Sequence, residues 1–162
     1  LFIGAMLGGS TLTELRQVLL EAEAQVTGGA APRVSPFADA SDAAGLLQRA
    51  GFALPVADVD RVTVRYPHIF ALLADLRAMG ETSAPAERAG RPLRRAVLER
   101  AAQLYAERFG GPDGRITATF EILTLTGWAP HERQQKPLPR GSAKIRLGDA
   151  LAAIRAKDEG EA

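Results

Sequence analysis

The hydrophobic pattern is strongest from Arg115 to Gly127, which reads RITATFEILTLTG. β-Branched and aromatic residues (Ile116, Thr117, Thr119, Phe120, Ile122, Thr124, Thr126) run there with no breaker until Gly127, so the stretch predicts one long strand. Apolar groups fall on both of its faces around Ile122, Leu123 and Leu125, and a strand of that kind belongs in the middle of a sheet covered by helices. Two further strands are expected to pair with it. One is the opening run Leu1 to Leu7, which ends at Gly8-Gly9. The other lies near residues 57 to 66, where Val62, Val64 and Tyr66 alternate with Arg61, Thr63 and Arg65, one face buried and the other wet, as at a sheet edge. The chain opens on the first strand without methionine, so it is expected to be the later part of a longer protein.

Helical spacing fills the intervals. Thr11 and Glu14 stand at capping-box separation, and Leu12, Leu15, Leu19 and Ala22 recur on one face through about Val26. The Gly- and Pro-rich residues 27 to 38 predict a surface loop, after which Asp39 or Ser41 caps a short helix carrying Leu46, Leu47 and Ala50 and stopped at Gly51. Pro67 suits the first turn of a helix with Ile69, Leu72, Leu73 and Leu76 as its stripe, ended by Gly80. Residues 81 to 91 form a polar linker. Pro92 opens the longest predicted helix, through about Phe109, with Leu93, Val97, Ala101, Leu104 and Tyr105 inward. A last short helix is expected over 147 to 157. The pattern therefore gives an α/β chain of three strands and five helices, and leaves the strand order open.

Composition narrows the function classes. At 162 residues with 46% hydrophobic residues, one globular core is the expectation. No cysteine is present, which excludes a disulfide framework, a thiolate metal site and a cysteine nucleophile. The net charge of +1 argues against a nucleic-acid footprint, although 17 of the 20 basic residues are arginine. No apolar run approaches the ~20 residues of a membrane span.

Among motifs, His131-Glu132 starts like a zinc helix, but Gln135 stands where the second ligand would be, so no metal site is assigned. Gly4, Gly8 and Gly9 follow a strand without the spacing that cradles a dinucleotide phosphate. His68 reads as an exposed first-turn residue. Arg65, Arg77, Arg94 and Arg95 lie on or beside the predicted lid helices, and their forked guanidinium groups make them candidates for holding a substrate carboxylate. The segment 133 to 146 has five basic residues and no acid, which suits a polar or acidic partner surface.

Several short segments carry a family resemblance: Val34 to Phe37 (VSPF), Arg49 to Phe52 (RAGF), Tyr66-Pro67, Asp75 to Glu81 (DLRAMGE), Asp113-Gly114 and Gly127-Trp128. With them the chain resembles the C-terminal half of a class I S-adenosylmethionine-dependent methyltransferase. Two related families are similar in this way, the malonyl-carrier-protein methyltransferases of biotin synthesis and the complex I assembly factors that act as protein arginine hydroxylases. His131-Glu132, Gln134, Pro137 and Arg140 to Ala143 match the tail of the assembly factors and make that family the better fit.

The resemblance implies the C-terminal part of a Rossmann-like fold, a three-stranded mixed sheet whose long strand runs antiparallel between the other two, with flanking and cap helices. Residues 9–38 and 67–110 would build a substrate cap and 131–162 a polar tail within one domain. It implies a transferase using S-adenosylmethionine in the complete protein, with arginine hydroxylation or a non-catalytic assembly role as alternatives. Its partner would be a protein substrate, for example a respiratory complex I subunit, in the cytoplasm. His131, Glu132 and Gln134 would serve partner recognition. The family's cofactor loop and acidic ribose ligand match nothing in this sequence, so residues 1–162 by themselves are expected to be inactive and to bind no cofactor.

Overall fold

A computed structural model describes residues 1–81, 92–134, 141, 142 and 148. They divide into a unit Leu1–Pro130 and a unit His131–Ala162. The first unit holds, in chain order, β1 (Phe2–Leu7), α1 (Thr13–Thr27), α2 (Ala40–Arg49), β2 (Ala53–Tyr66), α3 (Ile69–Ala78), α4 (Arg95–Phe109) and β3 (Ile116–Trp128). The helix expected over 147 to 157, residue 148 apart, and most of the linker after residue 81 lie outside the described residues.

The sheet order is β1-β3-β2, so the long apolar strand is central, as its two-sided pattern requires. It runs antiparallel to both neighbours, from Phe2↔Gly127 to Leu7↔Ile122 on one side and from Ala53↔Trp128 to Tyr66↔Ile116 on the other. The described sheet is therefore antiparallel and not mixed. β1 and β2 share a direction but are not hydrogen-bonded to each other, because β3 lies between them.

β2 starts earlier than its alternation indicates, at Ala53, with a bulge between Ala53 and Val56 and a left-handed Leu54 at φ 51°. Its inward face is also graded: Tyr66 is buried, Val64 half-buried and Val62 exposed.

The core forms where α1 and α4 pack on each other and on β3. Leu15, Val18, Leu19 and Ala22 meet Val97, Ala101, Leu104 and Tyr105 over Ile116 and Ala118, with Ile69, Leu72 and Leu76 of α3 closing one side. α2 lies against β2 and β3.

The start of α1 departs from its capping-box spacing. The helix begins behind Leu12, whose φ of 55° is left-handed, and no side chain caps it. Both predicted cap residues are engaged elsewhere. β1 ends opposite Ile122; beyond it the Glu121 and Thr119 carbonyls still accept from the Gly8 and Leu12 N–H groups, at 2.8 Å each, but their own N–H groups turn to side chains. The Thr11 hydroxyl donates to the Glu121 carbonyl (3.1 Å) and accepts from its N–H (3.0 Å). The Glu14 carboxylate accepts from the Thr119 N–H (3.2 Å) and from its hydroxyl. Buried backbone polarity outweighs one helix cap here. Gly8 has no room for a side chain, since a Cβ would lie 2.6 Å from Glu121 Oε1 and 2.9 Å from Leu123 Cγ.

Other ends follow ordinary chemistry. Asp39 caps α2 by accepting from the Asp42 N–H at 2.8 Å. His68 is the N-cap of α3, its Nδ1 accepting from the Ala71 N–H at 3.1 Å, so Pro67 lies just before the helix and not inside it. α4 likewise begins later than Pro92 predicts, with Arg94 extended at the cap.

Candidate functional site

The main cavity of the first unit, about 620 Å³, is walled by α1, the segment 33–37, α3 and the approach to α4. Its lining is aliphatic for the most part, with Leu12, Leu15, Leu19, Leu73, Leu76 and Leu93 prominent and Phe37 the aromatic member. Periodicity explains this wall. Leu12, Leu15 and Leu19 continue the core stripe of α1 at its N-terminal end, and Leu73 and Leu76 do the same for α3, so the cavity prolongs the core.

The wall at 33–37 is held by charged groups. Glu23 and Arg33 form a nearly buried ion pair, with side chains 11% and 9% exposed, and the Glu23 carboxylate also accepts from the Ala31 N–H at 3.0 Å. The Arg33 hydrogen bond holds the Glu23 carboxyl below the usual range, and Glu23 raises Arg33 in return. Arg16 donates from Nη2 to the carbonyls of Thr11 and Ser35, both at 3.4 Å, linking α1 to the same segment. A loop with poor local propensity is thereby fixed as a wall.

Polar groups reach the cavity at Arg33, Ser35, Arg77 and Glu81. Arg33 is neutralised by Glu23. Arg77 and Glu81 remain, and neither side chain has a hydrogen-bond or ion-pair partner among the described residues.

The four arginines read from sequence are thus separated. Arg77 lines the cavity. Arg65, on the sheet, pairs with Asp113 at the exposed turn before β3. Arg94 is the exposed N-cap of α4, and Arg95 turns outward to pair with Glu99 at 2.8 Å. His131, Glu132 and Gln134 fall in the second unit, where the His131 N–H donates to Gln134 Oε1 (3.0 Å) and the Arg133 N–H to His131 Nδ1 (3.2 Å) in a tight turn. Sequence reading did not pick out Glu81 or the Glu23–Arg33 pair. The i,i+4 placement of Glu81 after Arg77 was the available signal for the first.

A second hollow of about 380 Å³ lies between Ser10, Asp39, Ser41, Arg61 and Glu121. Its buried Glu121 carboxyl is kept ionised by the Arg61 Nε at 2.8 Å and by the Ser10 N–H at 3.3 Å, so that charge is committed to the fold.

Cofactor and metal chemistry can be tested against these groups. The described residues do not fit S-adenosylmethionine: the glycine at the end of β1 is packed against Glu121 and Leu123, and the large cavity is aliphatic with no glycine-rich turn beside it. Nor is there, among the described residues, a cluster of three or more His, Asp or Glu able to hold a metal. No helix among them is long and apolar enough to cross a membrane.

An α/β unit with this strand order and a leucine-walled cavity is consistent with the methyltransferase-like class. The sequence comparisons agree. No protein-family profile matches the chain. Over 91% of its length it is 44% identical to "Arginine-hydroxylase NDUFAF5, mitochondrial" of Danio rerio, covering 46% of that protein, and 43% identical to the human protein of the same name, covering 43% of it. It is 38% identical over 87% of its length to "Malonyl-[acyl-carrier protein] O-methyltransferase" of Laribacter hongkongensis, covering 45% of that protein. The chain therefore spans about half the length of the curated relatives it matches, and is homologous to part of both methyltransferase-like groups.

Proposed function

We propose that this chain forms the acceptor side of a methyltransferase-like enzyme that hydroxylates an arginine of a protein partner. The observation that carries the reading is the order of similarity. Identity to the proteins named arginine hydroxylases is 42–44%, against 31–38% to those named malonyl-carrier-protein methyltransferases. The geometry supports the division of labour, because the cavity draws its walls from residues 9–38 and 67–110, the stretches assigned to the substrate cap. The S-adenosylmethionine implied by the methyltransferase relatives would be held in a Rossmann-like half outside these residues. The acceptor, on the resemblance drawn from the tail, is a subunit of respiratory complex I, met in the cytoplasm.

A second reading is favoured by Arg77. Its guanidinium reaches the cavity without an acidic partner among the described residues, as methylation of a carboxylate would use. Mass spectrometry of the acceptor after incubation with the complete protein decides: the added mass of one oxygen atom is expected, that of a methyl group would establish the second reading, and an unchanged acceptor would leave an assembly module.

His131, Glu132 and Gln134 supply recognition in this scheme, which the tail's resemblance to the assembly factors supports. Replacing all three with alanine is expected to move the melting temperature little, polar surface substitutions being worth under about 0.5 kcal/mol each, while reducing modification of the acceptor. Unfolding by the triple replacement would show that they satisfy buried groups instead.

A further inference from the structure

Two opposite charges stand open over the aliphatic cavity. Arg77 and Glu81 are four residues apart, a spacing at which a continuous helix would bring them together. α3 stops at Ala78, however, and Gly80 takes φ 81°, a left-handed turn in which the Gly80 N–H bonds to the Arg77 carbonyl at 3.1 Å and the Glu81 N–H to the Leu76 carbonyl at 2.9 Å. Glu81 is thus swung off the helix, and no ion pair joins it to Arg77.

The fold accounts for one of these charges only. Arg77 lies in the last turn of α3, where the negative end of the helix dipole stabilises a cation. Glu81 lies just beyond the same end, where the dipole opposes a carboxylate. Glu81 is an exposed carboxylate that lines the cavity with no partner among the described residues, which leaves it open to a cation that enters there. The local field there favours a cation. A leucine-lined approach suits a cation on an apolar stem, whose methylenes cover the wall while the charged head stays at the rim.

We propose that Glu81 is the specificity-determining residue that receives the guanidinium of the acceptor arginine, with the arginine stem lying against Leu73, Leu76 and Leu93. This rests on the arginine-modifying reading above. The planar guanidinium can donate two parallel hydrogen bonds to the Glu81 carboxylate.

The test uses the complete protein and a capped peptide with one central arginine between leucines, alongside its citrulline counterpart, which keeps the shape and removes the charge. Calorimetric titration is expected to show the arginine peptide bound about tenfold tighter or more, as hydrogen bonds to charged groups imply. Glu81→Gln should abolish that preference, and Arg77→Gln should leave it intact or increase it. Glu81→Gln retaining the preference overturns the proposal, as does a wild type without one. Oxygen addition to the acceptor is followed separately. A charge preference lost in Glu81→Gln with no oxygen added keeps the guanidinium site and sinks the hydroxylation reading, whereas oxygen added equally by wild type and Glu81→Gln does the reverse.

Discussion

Replacing Tyr105 with alanine is expected to cost about 4 kcal/mol, the range for removing a buried aromatic side chain. Tyr105 is fully buried on α4, stacks edge-on against Phe109 at 5.6 Å between ring centroids, and lies in the layer joining α1 and α4 to β3. Its hydroxyl donates to the Thr117 carbonyl at 2.9 Å, and desolvation pushes the phenol well above its usual range, so it stays a neutral donor at any ordinary pH. Tyr105→Phe isolates that bond. It keeps the ring and leaves the Thr117 carbonyl short of a donor, a loss of about 1 kcal/mol. Urea unfolding followed by circular dichroism measures both, and near-equal losses would show that the hydroxyl and not the ring carries the contribution.

Glu23→Ala is expected to lower stability by about 3 kcal/mol, because it removes the acidic half of a nearly buried ion pair with Arg33. The same change releases the Ala31 N–H and the cavity wall at 33–37. Acid should reproduce part of the effect. The folded-state pKa of Glu23 lies below the ordinary carboxyl value of 4.5, so its contribution is complete above that value and is lost as pH falls through the lowered folded one. The gap between wild type and Glu23→Ala should therefore narrow below about pH 4. A gap that stayed constant through that window would mean the carboxylate charge contributes nothing.

What the hydrophobic pattern made legible was whatever depended on a single element. The centrality of β3 followed from apolar residues on both its faces, and Asp39 was readable as a cap because its function is local. Misreadings arose where distant groups competed for the same side chain. Thr11 and Glu14 have the spacing of a capping box, yet β3 arrives more than a hundred residues later with unpaired N–H groups and takes both. Val62 alternates like a buried residue, but burial needs a covering layer that the described residues do not place over that end of β2. Of the candidate arginines, Arg65, Arg94 and Arg95 are spent on turns, caps and surface pairs. Only the third dimension separates them from Arg77.

The pairing of β1 with β3 also sets the tempo of folding. Leu7 meets Ile122 and Phe2 meets Gly127, so every backbone bond that fixes the first strand spans nearly the whole first unit. Closing a loop of that length carries its entropy loss before any of the contacts form, and topologies dominated by such pairings fold slowly. During synthesis β1 emerges more than a hundred residues before its partner β3. For that interval an apolar strand with Ile3 and Met6 on display waits for β3, which makes β1 a point where a chaperone, or another nascent copy, can take hold.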